Sequence, residues 1–409
     1  MTDATEADFL TREQKFVLKL FTGINFLIGI IAMPYIAFII YSYLPTSIAG
    51  APDFMVYYAA AHFARAAPDL LYDYSSYLKF YATLKPVIWS AASPWFGYLG
   101  PPSFAVLLEP FSFLSCQNAY LAWTIANLFL CALLTKVIME LARQLKLNEL
   151  NLFLGSCVWG AWITFNVILK GQFSILACLL LTLFFIYQLR NKPAASALCL
   201  SVLLLIKLPL FIPLFLYVAG CRRWHTVAFA LLFSCAIILV TLPFLHSPHV
   251  WLDYVATMHE FSAGIWNTDI YYCCMINLRS IIWSAFSKSQ SVAVVTQAFY
   301  LMAGIACFLW PWITRREWDI GTAAAAVFAG IFFTPYIMAH DAMMLLPVGV
   351  IITARLREQK QARWMFLCYA MTSYSLANYW YLRSIELILA AAMIWLVFNE
   401  RRNSVAQGS

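Results

Sequence analysis

Pairs of Lys and Arg recur along this chain at the ends of apolar runs about twenty residues long, and that alternation constrains the fold more than any motif. Runs of that length match the hydrocarbon thickness of a bilayer, and they are too many for one soluble core. The 409 residues are 63% hydrophobic and 11% charged. That balance predicts an all-α polytopic membrane protein.

Holding every basic cluster on the cytoplasmic side yields a threading. A first span over 16–43 follows Arg12 and Lys15 and, lacking a small-residue cleavage site, reads as an anchor. The next stretch, 44–117, is too broken by Pro, Asp and Tyr to span throughout. It reads as a first periplasmic loop with short interfacial, juxtamembrane helices near 54–66, 74–84 and 103–114. Later spans end at Arg143 and Lys146, turn at Lys170, and end at Arg190 and Lys192. Two short spans then turn at Lys207-Leu208-Pro209 before Arg222 and Arg223. A second periplasmic loop covers 246–291, and the chain returns to Arg315 and Arg316. The last four spans turn at His340-Asp341 and at Arg383. The sum is about twelve spans in one integral membrane domain, 1–409, with both termini cytoplasmic.

The net charge of +7 is mostly this cytoplasmic rim, so it points to an anionic leaflet and not to nucleic acid. Eleven cysteines are scattered, mostly within spans, and read as buried apolar groups. Nucleotide-binding loops, zinc-protease motifs and CxxC pairs are missing from the sequence, so no cofactor is expected. The carboxylates leave a divalent ion open, although no ligand spacing demands one.

On the non-cytoplasmic side the threading gathers His62, His246, His249, His259 and His340, together with Asp53, Asp69, Asp73, Asp253, Glu260, Asp269 and Asp341. It also gathers single cations at Lys79, Lys85, Lys170, Lys207 and Arg383, all near span ends. Ionisable groups so near hydrocarbon are costly and usually serve a ligand or each other. Asp53, in Ala-Pro-Asp-Phe, suits either a helix cap or a carboxylate held rigidly for chemistry. His340 suits proton transfer near neutral pH, contact with a phosphate oxygen, or a plain turn. Lys207, followed by Pro, suits a snorkelling anchor or a phosphate ligand. Gln172 follows Lys170-Gly171 and offers an amide to a hydroxylated ligand. Tyr57, Tyr58 and Tyr98 add aromatic surface for a sugar, and His259, Glu260 and Asp341 complete the candidate binding set.

The ordered series Asp53-Phe-x-Val-Tyr57-Tyr58, Pro68-Asp69-Leu-Leu-Tyr72-Asp73, Tyr98 with Pro101-Pro102, Gly171-Gln172, Ile206-Lys207-Leu-Pro209, Arg222-Arg223-Trp224, and Thr334-Pro335-Tyr336 with His340-Asp341 and Pro347 resembles glycosyltransferase family 87. This group contains polyprenyl-phosphate-mannose-dependent mannosyltransferases of the GT-C fold. The resemblance implies inverting transfer of a sugar from a polyprenyl-phosphate carrier to a lipid or glycan acceptor at the periplasmic face of a bacterial inner membrane. It implies that Asp53 is the general base, that His340 and Asp341 lie close to the sugar or phosphate, and that Lys207 faces the departing phosphate. Ala342 and Met343 follow Asp341, where the family often has Tyr-Asp, which leaves the sugar open among mannose and other hexoses or pentoses. A lipid or sugar transporter is the rival reading. It expects polar groups near the bilayer midplane, whereas here they gather at one interface. A non-catalytic envelope-synthesis subunit is the third.

Overall fold

The computed structural model describes residues 12–43, 52–84, 97–160, 162–260, 275, 277–285, 290–334 and 337–356. Lys85, Arg383, the Pro335-Tyr336 pair and the two expected last spans lie outside the described residues. What is described is helical, apart from a single isolated bridge between Met275 and Met338.

The long helix α1 (Arg12–Tyr43) is followed by α2 (Pro52–Ala66), α3 (Tyr74–Thr83) and α4 (Pro102–Leu108). These three short helices fall where the broken loop predicts them. Asp73 caps α3 by accepting from the amides of Ser75 (3.2 Å) and Ser76 (3.1 Å), so that acid is spent on helix termination. The seven residues of α4 span roughly 10 Å, far short of a bilayer core. Next come α5 (Cys116–Gln144), α6 (Asn151–Gly160), α7 (Trp162–Lys170), α8 (Ser174–Leu189), α9 (Pro193–Gly220) and α10 (Trp224–Thr241). The remaining helices are α11 (His249–Glu260), α12 (Leu278–Ala285), α13 (Gln290–Thr314), α14 (Ile320–Phe333) and α15 (Leu345–Arg355).

Five helices among the described residues are long and apolar enough to cross a membrane, and six if the bent pair α6–α7 is one span. Their outward faces are largely hydrocarbon, as with Leu20, Leu27 and Ile31 on α1 or Leu301, Ile305 and Ile313 on α13. A surface of that kind is stable against lipid and not against water. The protein is an all-α membrane protein.

The helix α9 lies at the centre, packed by α8, α10, α13 and α14. It passes the length test as one helix, yet its two ends meet. Arg223 just past its end donates to Asn191 just before its start (3.3 Å), and Gln188 donates to Thr226 (3.3 Å). A straight helix of 28 residues would hold those ends roughly 40 Å apart. The fold-back is at Lys207, whose φ of −144° and ψ of 65° break the helix. Pro209 helps by removing the amide that would bond back across the break. The expected turn at Lys207 is therefore present, as the tip of a helical hairpin with arms of about 20 Å.

Candidate functional site

The turn joining α7 to α8, Lys170-Gly171-Gln172-Phe173, is the hub on which the candidate residues converge. Gly171 adopts a φ of +68°, open to glycine at no steric cost. A Cβ at that position would stand 2.6 Å from the Cβ of Phe54, so the turn lies directly against the first turn of α2, which carries Asp53. Two side chains of α5 hold the turn by its carbonyls. Tyr120 donates to Leu169 O (2.6 Å), and the Trp123 indole donates to Gly171 O (3.0 Å). On the other side Tyr57 donates to Gln172 Oε1 (2.8 Å), and its ring meets Phe173 edge-on at 4.3 Å. Phe54, Tyr57, Tyr58, Leu108, Phe111, Trp123 and Phe173 line a small apolar pocket beside it.

The 3₁₀ turn Ala339–Met344 packs against this hub and brings His340 and Asp341 with it. Asp341 is 2% exposed and fully engaged. Its Oδ1 accepts from Ser174 Oγ (2.8 Å) and pairs with the Lys207 ammonium at the hairpin tip, and its Oδ2 accepts from Met338 N (3.4 Å). Burial alone would raise the Asp341 pKa, but Lys207, His340 and the hydrogen bonds hold it below the ordinary carboxylate value. His340 Nε2 stands 3.7 Å from Asp341 Oδ1, side by side and not hydrogen-bonded to it. Asn277 fixes the approach to this turn by donating to Thr334 O (2.6 Å) while its own Oδ1 accepts from Ser280 N (3.0 Å).

Burial, helped by Lys207 and Lys170 and opposed by Asp341 and Asp53, pushes the His340 imidazole down to about 4. It is therefore neutral at physiological pH. The sign of the consequence is definite. An unfolded chain protonates this histidine below about 6.5 and the folded chain only near 4, so stability falls as pH drops through that window. The effect is on the order of 3 kcal/mol when complete. Thermal unfolding of the purified protein from pH 7 to pH 4 should show it, and His340→Gln should flatten most of the decline.

Phe54 packs on Gly171, so their neighbours Asp53 and Lys170 lie beside the turn against which His340 and the Asp341–Lys207 pair also pack, with Gln172 and Tyr57 on the edge of this group. Asp53 lies in the first turn of α2 and not before it as a cap. It is half-exposed, as is Lys170, and neither has a hydrogen-bond or ion-pair partner among the described residues. Other expected residues stand outside this group or bond to backbone. The Tyr58 hydroxyl donates to Leu114 O (2.8 Å) and that of Tyr98 to Pro101 O (2.9 Å), so both phenols are committed to backbone. His259 and Glu260 are exposed at the end of α11. Ser174 and Asn277 were not anticipated. Ser174 follows the Gly-Gln turn by two residues, a usable hint, whereas nothing in the sequence around Asn277 marks it.

Among the described residues, the cluster presents a carboxylate and an ammonium without ion-pair partners and a second ammonium balanced by a buried acid. That combination can take a proton from a hydroxyl and hold a phosphate. Among the described residues no three His, Cys, Asp or Glu side chains are grouped to hold a metal ion. The family model for glycosyltransferase family 87 matches residues 98–339, more than half of the chain. Asp53 precedes the matched segment, and His340 and Asp341 immediately follow it. GT-C glycosyltransferases generally act without a metal. No curated protein and no solved structure matches the chain.

Proposed function

Because the chain belongs to glycosyltransferase family 87, we propose that this membrane glycosyltransferase moves a sugar from a polyprenyl-phosphate carrier to a lipid or glycan acceptor, with inversion. Asp53 takes the proton of the acceptor hydroxyl as its oxygen attacks the anomeric carbon. The bond from that carbon to the phosphate oxygen breaks, and its electron pair leaves with the lipid phosphate. Lys170 and Lys207 face the charge that grows there, in a site where fixed cations act strongly. His340, neutral, offers a hydrogen bond to sugar or phosphate, and Gln172 with Tyr57 offers the same to sugar hydroxyls. In this reading the chain crosses a bacterial inner membrane about twelve times with both termini cytoplasmic, and the reaction occupies the periplasmic face. Mannose, another hexose or a pentose would satisfy it.

The observation that carries the assignment is the contrast between the two acids. Asp341 is buried, ion-paired and hydrogen-bonded, a poor proton acceptor, whereas Asp53 is half-exposed and without a partner among the described residues. The test is a panel of synthetic polyprenyl-phosphate sugars offered to purified protein with membrane lipid extract, with products read by mass spectrometry. A sugar-bearing acceptor from one donor supports the reading. Turnover only with nucleotide sugars would overturn it.

A further inference from the structure

The helix α2 carries chemistry on two sides. Asp53 and Tyr57 face the hub, while His62 and Arg65, spaced three apart, share a different side. On that side the Arg65 guanidinium lies 4.5 Å from the centre of the Phe113 ring, and the His62 imidazole stacks on Phe80 at 4.6 Å. No carboxylate pairs with Arg65 or His62 among the described residues. Burial and Arg65 hold His62 below its ordinary pKa, the sign expected beside a cation with no acid to offset it. Phe113 is 70% exposed, which is costly in water and ordinary against lipid.

Three residues beyond Phe113 begins α5, a 29-residue helix whose first turn is the positive end of its dipole. Tyr58 binds the two elements together by donating to Leu114 O. From there the exposed residues Leu121, Ile125 and Phe129 run down one face of α5 at intervals of four. A cation, an imidazole and a helix amino-terminus thus stand at the head of an apolar stripe on a candidate membrane span.

We propose that Arg65 and His62 at the head of α5 bind the phosphate of a bilayer lipid, whose chain lies along Leu121, Ile125 and Phe129. This site is separate from the Asp53–Lys207 cluster and independent of the reaction assigned to it. A charge-assisted contact to phosphate predicts roughly tenfold tighter retention than without it. The probe is dioleoylphosphatidylglycerol added to the full-length protein in detergent, with bound lipid counted by native mass spectrometry. The wild type and Arg65→Lys should each retain one phosphatidylglycerol that Arg65→Gln loses by roughly tenfold in affinity, with the three proteins melting together in the absence of lipid. Dioleoylglycerol, with the same chains and no phosphate, should not fill the site, and millimolar inorganic phosphate should not empty it. Equal retention by Arg65→Gln overturns the proposal, as does equal binding of dioleoylglycerol or ready displacement by free phosphate. Should Arg65→Gln melt early, His62→Gln, which keeps the guanidinium, must still weaken retention or the proposal fails.

Discussion

Asp53→Asn should leave the protein folded and lower sugar transfer roughly a thousandfold, the usual weight of a positioned general base. The amide keeps the shape of the carboxylate but cannot accept the acceptor's proton. Little else depends on the side chain. It is half-exposed, makes no hydrogen bond or ion pair among the described residues, and contributes to α2 only through its charge near the amino-terminus. That charge is worth about 0.3–1 kcal/mol. Transfer rate and melting temperature measured together separate the two effects. A large loss of rate with nearly unchanged melting is the expected pair of results. Retained turnover would remove Asp53 from the chemistry.

The second large effect concerns the buried pair at the hairpin tip. Lys207→Met strands Asp341, whose side chain is 3% exposed, and should cost about 3–5 kcal/mol of stability. Asp341→Asn should cost less, because Lys207 is 18% exposed and can reach water, while the amide still accepts from Ser174. The double variant Lys207→Met/Asp341→Asn should be more stable than Lys207→Met alone, because no bare charge then remains inside. A thermal double-mutant cycle in detergent reads this directly. Additive losses would mean that the two groups do not depend on each other. All three variants should lose transfer, since Lys207 faces the phosphate in this mechanism.

Much of the site was legible because its residues break rules that bind their surroundings. A lysine followed by proline in the middle of an apolar run has few explanations, and the basic clusters at Arg190 and Arg222-Arg223 on either side require the chain to turn there. The hairpin at Lys207 follows from those two facts. Gly171 announces a tight turn, and Asp53, Lys170, Gln172, His340 and Asp341 stand where polar groups near hydrocarbon need a reason. What could not be read is who meets whom. Lys207 and Asp341 are 134 positions apart, and Ser174 and Asp341 are 167 apart, distances over which no periodicity operates. For the same reason Tyr58 and Tyr98 look like sugar platforms in sequence, and only the packed structure reveals their hydroxyls spent on carbonyls. The neutrality of His340 is likewise a property of burial, which sequence position does not report.

Sidedness is the most direct test. In a background without native cysteines, Leu208→Cys at the hairpin tip should react with a membrane-impermeant maleimide in intact cells. Asn191→Cys, at the base of the same hairpin, should react only after lysis. The reverse pattern would put Lys207, His340 and Asp341 on the cytoplasmic face and contradict the account of an outward-facing reaction centre.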